Sequence, residues 1–341
     1  MKKASLFLFL AYFSISGANA TDFYEGKTIK LFAGTSAGSG SDVYYQLIQQ
    51  FMGRNIPGSP NVIRLNMPAG GGMAAANYLY NVAMKDGTEL AGFNRNSIFE
   101  PMLGNTHAHF RPEQFNWIGT PGSYGNSAYV FAIRSDLPYK TFEEMVRFPI
   151  PANVGKVGAA NAYVAILQSI LGAKMNLIIG YSEPQMAVAL ERGEIDGIST
   201  GYRTIVGTMG RLLDGKIIHP IVQFGHADRS PELHDVPTGR EIAKNSDDVA
   251  LIEFVEDSLT LGFPIGAPPS VPPDRIAILR KAFRETMDNS ELKQRMETMK
   301  LDYSPIYGED LQEAIAKLAV TPQTLVNRYR NLLRPDNIIN R

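Results

Sequence analysis

A strand that runs into a glycine- and serine-rich loop and then a helix recurs three times within about 80 residues, and this repetition constrains the fold most. Lys27–Ala33 reads as a strand, Gly34–Gly40 (GTSAGSG) as a loop, and about Asp42 to Gly53 as a helix with Val43, Leu47, Ile48 and Phe51 along one face. Asn61–Met67 is a second strand, followed by Pro68-Ala69-Gly70-Gly71-Gly72 and a helix over Met73–Met84. The turn Lys85-Asp86-Gly87 leads into a third strand, Glu89–Phe93. Consecutive units of this kind imply a parallel sheet with right-handed crossovers, and hence an α/β architecture.

Phe115–Gly119 and Ala128–Arg134 read as further strands, separated by the turn-forming segment Pro121–Gly125, an expected hinge. A second α/β set follows to about residue 224: strands Val154–Val157, Met175–Ile179 and Ile195–Ser199, with helices Ala162–Leu171 and Glu183–Arg192. From Arg229 onward the pattern is mainly helical, with a strand-like run at Ser258–Ala267. The stripe Ile276, Leu279, Phe283 and Met287 reads as core. The expected organisation is a first lobe of residues 21–124 and 225–341, a second of 125–224, and a two-strand hinge between them.

The first twenty residues have the form of a secretory leader. Lys2 and Lys3 precede an apolar run, Ala4–Ile15, and Ala18-Asn19-Ala20 supplies a small-x-small cleavage pattern, so the mature chain is expected to begin at Thr21. The run is shorter than the roughly 20 apolar residues that span a bilayer; an uncleaved anchor is the alternative. The chain has no cysteine, which excludes disulfides, thiolate metal sites and cysteine nucleophiles, and removes the residue that a lipoprotein anchor needs. An unanchored exported protein needs an outer membrane to retain it, so a Gram-negative periplasm is expected. Removing residues 1–20 of the 341 leaves 321, enough for two domains, with 31 basic against 34 acidic residues and a net charge of −3. Such a chain has no basic excess to hold nucleic acid or an anionic membrane surface. Any anionic ligand must be held locally.

The candidate site lies in the loops where strands end and helices begin, the edge at which open α/β sheets bind ligands. Helix starts there present unpaired N–H groups and a partial positive charge suited to a carboxylate, and small residues allow close backbone approach. In the first loop the candidates are Ser36, Gly38, Ser39, Ser41 and Asp42, with Ser39 or Ser41 as the helix cap. Asp42 reads equally as a first-turn acid favoured by the helix dipole. Gly70 and Gly71 are the candidates in the second loop, where three glycines in a row exceed what a turn requires. In the third, Asn94–Ser97, Arg95 is the one cation: a bidentate carboxylate partner, a solvated side chain or an interlobe ion pair. The second lobe offers Gly158, Ala160 and Asn161, Tyr202 after Thr200-Gly201, and Tyr181 as a residue that closes over the ligand. Neither a complete dinucleotide fingerprint, a P-loop, a Gly-x-Ser-x-Gly elbow nor a zinc or EF-hand pattern occurs. No cofactor and no catalytic or metal site is expected, and His107 and His109 read as surface residues.

With these residues in view, the runs "FYEGKTIKLFAGTSAGSGSDVYYQLI" and "NMPAGGGMAAANYLYNVAMKDGTELAGFNRN" resemble the N-terminal half of Bug-type solute receptors of tripartite tricarboxylate transporters. "FNWIG" at 115–119, "GYSEPQMAVALERGEIDG" at 180–197, "RSPELHDVPTGRE" at 229–241 and "APPSVPPDRIAILRKAFRETMDNSEL" at 267–292 continue it in the right order. The resemblance covers about residues 23–330. It implies a type II periplasmic-binding-protein (Venus-flytrap) fold whose loops hold the ligand carboxylate through main-chain N–H groups, hydroxyls and waters. The implied contacts fall on Gly38, Ser41, Asp42, Gly70, Gly71 and the region from Gly158 to Asn161. Many members carry a serine-rich stretch ending in histidine there, where this chain reads GAANAYVAIL, a departure that bears on ligand identity.

The expectation is therefore a monomeric periplasmic receptor that passes a small organic carboxylate to membrane permease subunits, and not an enzyme. The alternatives are the same fold serving as co-receptor for a signalling protein, or a periplasmic hydrolase.

Overall fold

The computed structural model describes residues 23–125, 127–156, 160–179, 181 and 183–333. The expected leader, residues 1–20, and Thr21 lie outside the described residues.

Among the described residues, eleven strands form two sheets. β1 (Thr28–Ala33), β2 (Asn61–Asn66), β3 (Glu89–Gly92), β4 (Asn116–Thr120), β10 (Ile265–Ala267) and β11 (Ile306–Tyr307) make a six-stranded sheet in the order β11-β4-β10-β3-β1-β2. β5 (Tyr129–Arg134), β6 (Ala152–Lys156), β7 (Met175–Ile179), β8 (Gly197–Gly201) and β9 (Ile218–Phe224) make a five-stranded sheet in the order β7-β6-β8-β5-β9. β1 pairs in parallel with both β2 and β3, the arrangement that the repeated strand–loop–helix units require. β10 enters between β3 and β4 antiparallel to each, so a segment 145 residues beyond β4 completes the first sheet.

Alternation along β5 shows how the second sheet is covered on both faces. Tyr129, Phe131 and Ile133 belong to one apolar cluster with Tyr163 and Val164, whereas Val130 and Ala132 belong to another with Met186, Leu190 and Ile205. Successive side chains of a strand point to opposite faces, so this one six-residue strand contributes to both clusters. In the first lobe the helix Gly40–Met52 starts where the Ser39 hydroxyl accepts the Asp42 N–H at 3.3 Å, and buries Tyr44, Tyr45, Leu47, Ile48 and Phe51. A buried side chain of this size stabilises by about 1.5–3 kcal/mol.

After β9 the chain returns to the first sheet as β10 and β11, yet the helix Ser246–Thr260 lies against both lobes. Its Phe254 meets Phe99 of the first lobe at 5.9 Å between ring centroids, and its Val255 carbonyl accepts from Tyr163 Oη of the second at 3.4 Å. That helix replaces the first part of the strand-like run expected at Ser258–Ala267. Leu251, Ile252, Val255 and Leu259 give it a continuous buried stripe and Asn245 caps it, so only Ile265–Ala267 is left as strand.

Candidate functional site

Three strand-end loops of the first lobe meet at one edge of its sheet. The Gly34 N–H donates to the Gly92 carbonyl at 2.7 Å, and the Met67 N–H to the Ala33 carbonyl at 2.7 Å. At Gly72, where φ is +95°, a Cβ would stand 2.6 Å from the Gly34 carbonyl oxygen and 2.9 Å from Asn94 Cβ. Glycine is required there because the second loop presses on both its neighbours. Gly70 and Gly71 also have positive φ, inside a short 3-10 turn, and are exposed together with Ser36 and Gly38.

Asp42 has a different surrounding from its neighbours in the first loop. It is 3 % exposed, and its carboxylate accepts from the Gly38 N–H at 2.8 Å, from Asn66 Nδ2 at 2.7 Å and from the Arg64 guanidinium. The acid therefore shapes the loop: it ties Gly38, the helix start and the end of β2 together. Ser39, not Ser41, is the cap. The helix start holds a fixed negative charge, and the Asp42 and Val43 N–H groups are already bonded to Ser39.

Arg95 opens the third loop, just after the Asn94 side chain caps a short 3-10 turn by accepting the Asn96 N–H at 3.1 Å. It is only 8 % exposed, so it is not a solvated side chain. Nor does any carboxylate among the described residues pair with it; Nε has no hydrogen-bond partner. The groups that act on its charge are tyrosines from the hinge and the second lobe. Burial works to lower its pKa, but Tyr124, Tyr129 and Tyr163 outweigh it, so the net direction is up and the guanidinium stays charged. Tyr124 lies with its ring centroid 5.2 Å from Arg95 Cζ. Tyr129 and Tyr163 stack at 4.6 Å and 25°, and Tyr129 Oη donates to the Ser199 carbonyl at 3.3 Å.

The Tyr124 ring and hydroxyl offset part of the cost of burying this cation. Removing a guanidinium from water costs several kcal/mol after relaxation, whereas a desolvated cation–π contact returns about 2 kcal/mol. Arginine does not escape by losing its proton. An anion beside it would close the gap. Glu256, the buried acid that acts on Tyr163, does not serve: it is bonded by Arg240 Nε at 2.6 Å and the Gly225 N–H at 2.9 Å.

The remaining expected site residues separate. Gly201 reaches the group, since a Cβ there would lie 3.1 Å from a Tyr124 ring carbon, but Tyr202 packs on the other apolar cluster of the second lobe. Tyr181 packs there too, its hydroxyl 3.2 Å from Glu194 Oε2 in the turn before β8, so it is not brought to Arg95. Gly158 lies outside the described residues; Ala160 and Asn161 open the helix Ala160–Ser169, and their side chains lie outside them also. Tyr129 and Tyr163 were missed by sequence reasoning. A tyrosine just past the hinge and another just inside the helix that follows the 158–161 loop were the available signal.

A hollow of about 350 Å³ between the end of the helix Ser246–Thr260 and the helix Gly308–Ala319 shares no residue with this group. Asp257, Asp310, Glu313 and Lys317 line it; Lys317 pairs with Glu313 at 2.8 Å, so the two aspartates leave the rim acidic.

The hinge itself is fixed from a distance. The Ser123 N–H donates to Ser304 Oγ at 2.8 Å, and His226 Nε2 lies 2.9 Å from the Ser127 carbonyl oxygen, which links the two crossings between lobes.

The sequence matches no family model and no curated protein. The fold has clear counterparts among solved structures. A TctC solute binding protein from Polaromonas is similar with a TM-score of 0.64 and 19 % identity over 91 % of this chain and 99 % of that one. MatC from Rhodopseudomonas palustris, solved with bound malate, gives 0.62 and 18 % over 91 % and 99 %. A second R. palustris protein, solved with adipate, gives 0.64 and 14 % over 90 % and 96 %. The chain therefore has the two-lobe α/β fold of the Bug-type solute receptors that its ordered motifs resemble.

Proposed function

We propose that this chain is a solute-binding receptor that captures a small organic carboxylate between its lobes and delivers it to membrane permease subunits. The observation that carries the reading is Arg95, a buried cation that leaves a first-lobe strand end, faces second-lobe tyrosines and has no acid partner among the described residues. A ligand carboxylate bound there completes the charge balance and joins the lobes across the hinge, which is how a two-lobe receptor couples binding to closure. The bound malate and adipate of two similar folds support a carboxylate ligand. The leader pattern supports export to the periplasm, and the absence of cysteine leaves no residue for a lipoprotein anchor. Among the described residues no helix is long and apolar enough to cross a membrane.

Thermal unfolding of the purified protein against a panel of organic acids tests this. Ligand that binds the native state at 100 times its Kd adds about 2.7 kcal/mol, so one or a few carboxylates raise Tm in proportion to the logarithm of their concentration. A panel that leaves Tm unmoved contradicts the reading.

A further inference from the structure

We infer that the ligand is a monocarboxylate with an aromatic body, in preference to a dicarboxylate such as malate or adipate; this rests on the receptor reading above. Arg95 supplies one positive charge, and the ring of Tyr124 lies with its centroid 5.2 Å from its Cζ. Phe93, Ile98 and Phe99, on either side of it in the chain, are at most 3 % exposed. The rings continue into the second lobe, where Tyr163 meets both Tyr129 and, at 4.9 Å, Phe224. One carboxylate answers the guanidinium, while a second would be enclosed among rings with no cation to meet it.

The helix start at Ser39–Asp42 does not provide for a second acid group. The buried Asp42 carboxylate already takes the Gly38 N–H and the Arg64 guanidinium, so neither is left for another anion at that end. A planar ring attached to the carboxylate instead extends the tyrosine stack. Offset and edge-on ring contacts favour such a body over an aliphatic chain of equal area.

Isothermal titration with benzoate, phenylacetate, cyclohexanecarboxylate, malate and adipate tests the inference on the whole mature protein and on Arg95→Gln. Benzoate or phenylacetate is expected to bind at least tenfold more tightly than malate and adipate, about 1.4 kcal/mol, and more tightly than the saturated ring. Arg95→Gln is expected to weaken that binding thirtyfold or more with its circular dichroism unchanged, and Arg95→Lys to recover part of it. Malate or adipate binding as tightly as the aromatic acids overturns the inference and leaves the receptor reading standing; so does cyclohexanecarboxylate matching benzoate. Aromatic binding that is indifferent to Arg95→Gln overturns it as well. No acid of either class binding the wild type overturns both.

Discussion

Asp302 accepts the Tyr124 N–H at 2.9 Å, so the first crossing between the lobes is tethered by a residue 178 positions further along the chain. The same carboxylate oxygen takes the Ser304 hydroxyl, which in turn accepts the Ser123 and Gly125 N–H groups. Tyr124 has a φ of +57°, a conformation held by these contacts, and its ring faces Arg95. Asp302→Ala leaves the Tyr124 N–H and the Ser304 hydroxyl without their acceptor, at a cost of about 1–3 kcal/mol. Urea unfolding checks this, and an unchanged midpoint contradicts the role given to Asp302.

Asp42 tests whether the first loop is shaped by its acid. Asp42→Ala strands the Arg64 guanidinium, whose side chain is 17 % exposed, and frees the Gly38 N–H and Asn66 amide. Because Arg64 retains some access to water, the expected destabilisation is about 2–3 kcal/mol, below that of a wholly buried pair. The variant Arg64→Met with Asp42→Ala should recover part of the loss, measured as a double-mutant cycle.

Glycine substitutions separate close packing from backbone conformation. At Gly72 an added Cβ strikes the Gly34 carbonyl, while at Gly38, with φ +76°, it meets nothing within 4 Å. Gly38→Ala is expected to cost only the left-handed backbone penalty, about 1–2 kcal/mol. Gly72→Ala costs more and disturbs the junction with Asn94 beside Arg95. Equal losses from the two contradict the convergence of the loops.

Glu256 gives a pH dependence. Burial raises its pKa above the ordinary glutamate range, against the opposing effects of the Gly225 N–H and Arg240. A carboxyl whose folded pKa is raised binds its proton more tightly in the native state. Its contribution is complete below the unfolded pKa of about 4.3 and is lost as pH rises through the folded value. Glu256→Gln should therefore remove a fall in stability on the alkaline side of about pH 4.3, read from denaturant midpoints across that range. A wild type and variant with parallel profiles contradict this.

Most strand–loop–helix units were legible because each is written within 20 to 30 residues, with a buried periodic face and a cap such as Ser39 beside it. What was not legible is non-local. Asp42 finds Arg64 and Asn66 22 and 24 residues away on β2, so its first-turn position in sequence does not reveal its partners. Asp302 and Ser304 carry no motif, and the two-residue β11 is too short for alternation to mark it. Ser258–Thr260 reads as strand when taken alone and becomes helix because it ends a fifteen-residue run whose apolar stripe packs between the lobes. For Arg95 the sequence left three readings open, and its burial sets aside the solvated one.

A captured acid that neutralises Arg95 stays with the folded protein when it is isolated without refolding. Native mass spectrometry of the protein taken from the periplasm without refolding measures this directly, comparing wild type with Arg95→Gln. An organic-acid adduct is expected on the folded wild type and not on the variant. An adduct retained equally by both, or none on a folded wild type supplied with an acid panel, contradicts it.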